Sequence, residues 1–196
     1  MSKNTIILIS IAALLVLGVF WGVGKYNGLV TKDEAVSGQW ANVENQYQRR
    51  ADLIPNLVAT VKGYAKHESE TLEGVIAARS KATQITVDPD NLTPEKLKEY
   101  QAAQGQLSSA LGKLLMITEN YPDLKANQNF MELQAQLEGT ENRITTERGR
   151  FNEMCIEFNS SIRRFPTSLV ASLAGLEKKA YFEAEQGSEK APEVEF

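Results

Sequence analysis

Cysteine and histidine are nearly missing from this chain. One cysteine, Cys155, and one histidine, His67, occur among 196 residues, so neither an internal disulfide nor a cysteine-based metal cage is available. A zinc helix of the H-E-x-x-H type lacks its second histidine, and a di-iron bundle needs Glu-x-x-His on two helices. We predict no metal site, no cofactor and no catalytic residue. We expect Cys155 to be a small core residue rather than a reactive thiol.

Positive charge is not in excess either. With 21 Lys and Arg against 25 Asp and Glu, the net charge is −4, and no basic surface for neutralising phosphates is expected. A nucleic-acid partner is therefore not predicted. Phosphate-binding loops and nucleophile elbows are also missing. These absences disfavour an enzyme, and our prediction is that the chain is not one.

One long apolar run stands near the N-terminus. Residues 6–23 carry no charge, and about 18 such residues are close to the shortest helix that crosses a bilayer. We interpret residues 1–25 as a short leader and a retained transmembrane anchor, with Trp21 and Tyr26 at the membrane interface. The alternative is a cleaved signal peptide, although no A-x-A site follows the run.

The charges beside this run say little about orientation. Lys3 and the terminal amine precede it, while Lys25 and Lys32 follow it, so the positive-inside count is close to a tie. A short basic leader slightly favours the N-terminus inside and the rest of the chain on the extracytoplasmic side.

The remainder of the chain has the apolar period of helices, with no sustained alternation typical of strands. A capping box at residues 31–34 predicts that the first soluble helix begins at Thr31. Its apolar stripe keeps phase to about Arg79 or Ala82, so we expect a kink at Pro55, with a full break as the alternative. The stripe consists of Trp40, Val43, Tyr47, Ile54, Leu57, Val61, Tyr64, Leu72 and Val75.

Two more long helices and a shorter one are predicted after it. Thr93 and Pro94 supply an N-cap and a first helical position for a helix that ends near residues 120–122. A third stripe runs over 123–165 and is ended by Pro166. A last amphipathic helix is expected over 168–182. We thus predict one all-α domain over 26–182 and a disordered acidic tail over 183–196.

Charged side chains fall on two of the apolar stripes, Arg50 and Glu68 on the first and Glu141 and Arg148 on the third. They form buried ion pairs or reach out to water, and the sequence does not decide between these alternatives. We predict a structural polar cluster of Arg49, Arg50, Asp52, Asn56, Glu68, Glu141 and Arg148. The asparagines of the third stripe are expected to be surface or register-fixing residues; they are Asn127, Asn129, Asn142, Asn152 and Asn159.

Several blocks of the chain resemble the LemA family. Paired arginines are followed by D-L-I-P-N-L-V and V-K-G-Y-A-x-H-E over residues 49–68, and later blocks at 121–127 and 137–144 and the dipeptide Phe165-Pro166 fit the same pattern. The resemblance covers residues 26–175. It implies an N-terminal membrane helix, an up-and-down antiparallel bundle of the four-helix type with coiled-coil-like packing, and no settled activity. It also implies a short N-terminus outside the cell, against the charge-based preference.

These observations favour a structural scaffold or adaptor in the bacterial cell envelope. Its partners would be the lipid bilayer, other proteins and copies of itself, the last through the small residues of the second long helix. Lys62, Tyr64 and His67 form the candidate partner surface. The alternatives are an envelope sensor, a ligand-binding protein or a partner of a membrane protease.

Overall fold

A computed structural model describes residues 2–89 and 92–183. Over these ranges the chain forms helices and no strand, which confirms the all-α prediction. The predicted disordered tail lies outside the described residues, apart from Glu183. The helices are α1 Lys3–Tyr64, α2 Ser69–Gln84, α3 Pro94–Thr118, the single turn α4 Pro122–Lys125, α5 Gln128–Arg163 and α6 Thr167–Leu173.

Helix α1 joins the apolar run to the bundle without interruption. It has 62 residues, which corresponds to a length of about 93 Å at 1.5 Å per residue. The predicted helix start at Thr31 was wrong: the Thr31 hydroxyl donates to the carbonyl of Asn27 at 2.9 Å, one turn back along the same helix. A capping box starts a helix only where the preceding chain leaves the helical conformation, and here residues 24–30 stay helical as part of α1.

The first reversal of the chain comes at residues 65–68, not at Pro55. Pro55 lies inside α1, so the full break considered for that position does not occur. The predicted continuation of the first helix to Arg79 or Ala82 was also wrong, because α2 begins at Ser69. Leu72 and Val75 keep the period of the stripe although they belong to a separate helix, which sequence periodicity alone does not distinguish.

Helices α1, α2, α3 and α5 alternate in direction. α1 packs along α5 and α2 along α3, with further contacts between α1 and α2. Thr93 caps α3 by accepting from the Lys96 amide at 3.3 Å, as the sequence predicted. Asn127 caps α5 in the same way through the Phe130 amide at 3.0 Å. The cap at Asn127 explains why the third apolar stripe is divided between α4 and α5.

The buried side chains form two clusters that meet near the middle of α1. The anchor-proximal cluster consists of Leu29, Val36, Trp40, Val43, Tyr47, Val87, Leu92, Leu97, Tyr100, Ile144, Phe151, Cys155, Phe158, Ile162, Ala171 and Phe182. The anchor-distal cluster consists of Ile54, Leu57, Val58, Val61, Ala65, Leu72, Val75, Ala82, Leu107, Leu111, Leu114, Leu124, Phe130 and Leu137. Arg50 lies on α1 between the last proximal and the first distal member of that helix.

The C-terminal part is less helical than predicted. α6 ends at Leu173 with a Schellman motif, in which the Leu176 amide donates to the carbonyl of Ala171 at 3.0 Å and Gly175 has a φ of 68°. Residues 174–183 then run without helix along the bundle. Asn159 and Asn152 hold this segment, each donating to one backbone carbonyl and accepting from one amide. The predicted helix to residue 182 fails because Gly175 favours the left-handed conformation that ends helices.

Candidate functional site

The most heavily bonded side chain of the bundle interior is Arg50, which is 1% exposed. Its Nη1 donates to Oε1 of Glu141 at 2.6 Å and to Oγ of Ser108 at 2.7 Å. Its Nη2 donates to Oε1 of Gln104 at 2.6 Å and to the Gln104 carbonyl at 3.2 Å. One guanidinium therefore joins α1, α3 and α5, and we call these four residues the Arg50 junction.

Helix α2 is tied to the same level of the bundle by two further hydrogen bonds. Nε2 of Gln104 donates to the carbonyl of Ala82 at 3.3 Å. Nε of Arg79 donates to the carbonyl of Ala51 at 2.7 Å. That carbonyl is the one that Pro55 leaves without its helical donor, since proline has no N–H. The acceptor freed by the proline is thus bonded by a neighbouring helix.

The buried guanidinium of Arg50 requires its hydrogen-bond partners. The Glu141 side chain is 42% exposed, so water shares the carboxylate, whereas the guanidinium is fully buried. Within the part of the chain that the structure describes, its Nε has no acceptor. The Tyr47 ring lies under the guanidinium, 5.2 Å from ring centroid to Cζ. A charge buried this far is stable only with its partners in place, and losing one of them is costly.

A cavity of about 270 Å³ opens beside this junction, between α1, α3 and the end of α2. Glu44, Tyr47, Tyr100 and Gln104 are among its lining residues. Burial raises the pKa of the Glu44 carboxyl. Burial also raises the pKa of Tyr47 and Tyr100. The cavity therefore combines aromatic walls with a carboxylate and an amide.

The seven residues of the predicted polar cluster do not come together as one group. Arg50 and Glu141 form a direct ion pair, so for these two residues the ion-pair alternative holds. Arg148 lies nearer the anchor, 4.5 Å from the Phe182 ring centroid. Glu68 lies at the far end, where its Oε1 accepts from the Tyr121 hydroxyl at 2.9 Å. The sequence period placed Glu68 on the same stripe as Arg50. That period does not apply, because α1 ends at Tyr64.

The other three predicted members lie on the outside of α1. Arg49, Asp52 and Asn56 are exposed; Asp52 accepts from Nε2 of Gln48 at 2.7 Å. A helix turns about 100° per residue, so residues next to a buried position point away from the core. The predicted cluster joined neighbours in sequence that lie on different faces.

The candidate partner surface is at the end of the bundle farthest from the apolar run. Lys62, Tyr64 and His67 are all exposed. The Tyr64 hydroxyl accepts from Nδ2 of Asn127 at 2.9 Å, which ties the α1–α2 turn to the start of α5. Of the three residues, Tyr64 is thus the one whose side chain is held by a hydrogen bond.

Several partners at the junction were not anticipated from the sequence. Gln104 and Ser108 were missed although Gln104 lies four residues after Tyr100 and three before Leu107, on the buried face of α3. A polar residue inside an apolar stripe was the available signal. Asn152 and Asn159, expected to be surface or register-fixing residues, lie away from the junction and hold the C-terminal segment. They are seven residues apart, hence on one face of α5, and that spacing was the signal for their paired role.

No group of three or more His, Cys, Asp and Glu side chains suited to holding a metal ion occurs among residues 2–89 and 92–183. Cys155 is fully buried in the proximal cluster, and burial raises the pKa of its thiol to about 12, opposed in part by the charge of Lys179. A thiol so rarely ionised is a poor nucleophile at neutral pH.

These features define a class of protein, an up-and-down helical bundle carried on an N-terminal helix long and apolar enough to cross a membrane. The family follows from the comparison with known proteins. The LemA family model matches residues 39–196, and the chain belongs to the LemA family.

Two kinds of relative are similar to it. Protein LemA of Metamycoplasma hominis is 29% identical over 175 residues, which cover 88% of this chain and 76% of that protein. Magnetosome protein MamQ of Magnetospirillum gryphiswaldense is 26% identical over 175 residues, 81% of this chain and 64% of the relative. Magnetosome protein MamQ 2 of Paramagnetospirillum magneticum is 25% identical, and the match covers 65% of its length. The chain thus spans less than two thirds of the MamQ proteins.

Proposed function

We propose that this protein is a membrane-tethered structural scaffold or adaptor of the bacterial cell envelope, without catalytic activity, that binds protein partners at the far end of its bundle. The observation that carries the proposal is the continuity of α1. A helix that serves both as membrane anchor and as first bundle helix leaves no flexible linker between them. The bundle is then held at a fixed height and angle to the bilayer.

The height follows from helix geometry. From residue 23, where the apolar run ends, to Tyr64 there are 41 residues, a distance of at most about 60 Å at 1.5 Å per residue. Lys62, Tyr64 and His67 would be presented at that height. A rigid arm of this length suits a protein that holds partners at a distance from the bilayer. A catalytic domain does not require such an arm.

The cavity beside the Arg50 junction supports a second candidate function. A recess of about 270 Å³ with a carboxylate, an amide and aromatic walls has the mixed lining of small-molecule sites. In that case the protein would be an envelope sensor or ligand-binding protein. A protease-partner role would use the far-end surface of the scaffold.

Site-specific photo-crosslinking in native membranes separates these candidates. A photoreactive amino acid at position 67 is expected to give discrete crosslinked species, whereas one at the exposed Glu138, on the side of α5, gives none. A chain that stays monomeric and uncrosslinked at position 67, yet changes its melting temperature with a small molecule, would support the sensor instead.

The fixed arm has its own test. Four Gly-Ser residues inserted after Asn27 would leave the bundle folded but uncouple it from the anchor. Crosslinks at position 67 should then be lost. An insertion of seven helix-forming residues separates rigidity from length: two turns keep the arm rigid and preserve the face presented while adding about 10 Å of height, and crosslinks at position 67 should be retained. Equal crosslinking in all three chains would contradict the role of the arm.

A further inference from the structure

An apolar patch is exposed at the anchor end of the bundle. Phe165 is 81% exposed, Leu169 is 58% exposed and Leu173 is 91% exposed. Leu169 and Leu173 are four residues apart on α6 and so lie on one side of it, with Phe165 four residues earlier in the preceding turn. Large apolar side chains exposed as a group mark an interaction surface more often than single ones do.

The patch is close to the bilayer that α1 would cross. Nζ of Lys32 lies 2.8 Å from Oγ of Ser161, so the last turn of α5 is beside residue 32 of α1. Because α5 runs antiparallel to α1, residue 165 is near the level of residue 28. That level is five residues, about 8 Å, beyond the end of the apolar run. The headgroup layer of one leaflet is about 5–8 Å thick.

The position of α6 agrees with this estimate. α6 contacts both α1 and α5, and its buried residue Ala171 belongs to the anchor-proximal cluster. After α6 the chain turns away from the anchor: Lys179 pairs with Asp33 at 2.8 Å, and Phe182 stacks on Trp40 at 5.9 Å between ring centroids. Among the described residues after α5, α6 is therefore the segment closest to the apolar run of α1.

The charge next to the patch is positive. Residues 162–176 contain Arg163 and Arg164 and no acidic residue. On α1, Lys25 adds a positive charge, whereas Lys32 is paired with Glu157 at 2.9 Å. Arg163 and Arg164 are both exposed. This local excess of positive charge contrasts with the acidic chain as a whole, and it suits an anionic surface.

We propose that the turn at 163–166 and α6 form a second membrane contact. Phe165, Leu169 and Leu173 enter the headgroup layer, while Arg163 and Arg164 contact the phosphates of anionic lipids. The contact rests on the membrane tether of the proposed function and adds to it, since a bundle touching the bilayer at a second place cannot rotate freely about α1.

Depth-dependent quenching in vesicles tests the contact. The full-length chain carrying Leu173→Cys is labelled with an environment-sensitive fluorophore and reconstituted into phosphatidylcholine vesicles with about 30% phosphatidylglycerol. The quenchers are a lipid with a nitroxide near the headgroup, read at positions 173 and 116, and a lipid with a nitroxide deep in the acyl chain, read at position 16. Matched controls are Met116→Cys at the far end of the bundle and Val16→Cys in the apolar run. The wild-type chain, with Cys155 buried, is the labelling blank.

Quenching at position 173 is expected to exceed that at position 116 by at least about two-fold. Arg163→Gln with Arg164→Gln should reduce the difference in anionic vesicles. Quenching at 173 equal to that at 116, with position 16 still quenched, overturns the contact and leaves the tether standing. No quenching at position 16 overturns the tether itself. A blue-shifted label at 173 that lipid does not quench also overturns the proposal, because protein then covers the patch.

Discussion

Nε of Arg79 donates to the carbonyl oxygen of Ala51 at 2.7 Å. Ala51 is the residue four positions before Pro55, and its carbonyl has no helical donor because proline lacks an N–H. The arginine of α2 thus replaces a hydrogen bond that the sequence of α1 removes. A position that would weaken an isolated helix becomes the point at which two helices are joined.

Arg79→Leu is expected to lower the free energy of unfolding by about 1–3 kcal/mol, because it leaves the Ala51 carbonyl without a partner. Pro55→Ala restores the helical donor. In the Pro55→Ala background the same arginine change should cost less than about 1 kcal/mol. Urea unfolding of the four chains in detergent, followed by circular dichroism, measures this coupling. An equal cost of Arg79→Leu in both backgrounds would show that the two positions are independent.

The Arg50 junction should depend on its buried member more than on its half-exposed one. Arg50→Ala leaves a cavity and unpaired polar groups, and we expect a loss of about 3–5 kcal/mol. Glu141→Gln keeps an acceptor at a half-exposed site, and we expect a loss of about 1–2 kcal/mol. Arg49→Ala is the control: that residue is exposed, and its replacement should stay within about 0.5 kcal/mol. Equal losses for Arg49→Ala and Arg50→Ala would rule out the junction as a stabilising element.

Stability should fall at alkaline pH. Burial raises the pKa of Tyr47, Tyr100 and the Cys155 thiol in the folded chain. From about pH 9 for cysteine and pH 10 for tyrosine the unfolded chain releases protons that the folded chain still holds. Stability is then lost as pH rises, by up to about 1.4 kcal/mol per pH unit and group.

Unfolding midpoints between about pH 8 and pH 11 measure this slope. Tyr100→Phe should make it shallower. An identical slope in the Tyr100→Phe chain would mean that this hydroxyl ionises as easily in the fold as outside it. Cys155 should also resist alkylation at pH 8 until the chain is unfolded.

We expect the bundle to lie on the extracytoplasmic side, on the basis of Lys3 before the apolar run. Alkaline phosphatase fused after Glu183 should then be active, and a fluorescent protein that matures only in the cytoplasm should stay dark. Arg163 and Arg164 do not enter this expectation, because they are far from the span in sequence. Fluorescence without phosphatase activity would place the bundle, with its partners, in the cytoplasm.

The features that the sequence predicted correctly are those that depend on interactions between residues close together in the chain. The N-cap at Thr93 and the stop at Pro166 were predicted because both follow from backbone chemistry within a few residues. The start at Thr31 was mispredicted because a capping box is overridden when the upstream residues stay helical. The end at Leu173 was missed because its Schellman motif was outweighed by an apolar pattern that continues to Phe182, and Phe182 is buried without being helical.

The sequence by itself determined the helical class, the long apolar run near the N-terminus and the family, because periodicity, length and composition are properties of the chain alone. Only the tertiary structure decided that Arg50 bonds Gln104, Ser108 and Glu141, that Arg79 completes α1, and that Asn152 and Asn159 hold the C-terminal segment. Those contacts join residues far apart in sequence. A hydrogen bond weakens when its donor–acceptor distance changes by a few tenths of an ångström. Such distances exist only once the helices have packed.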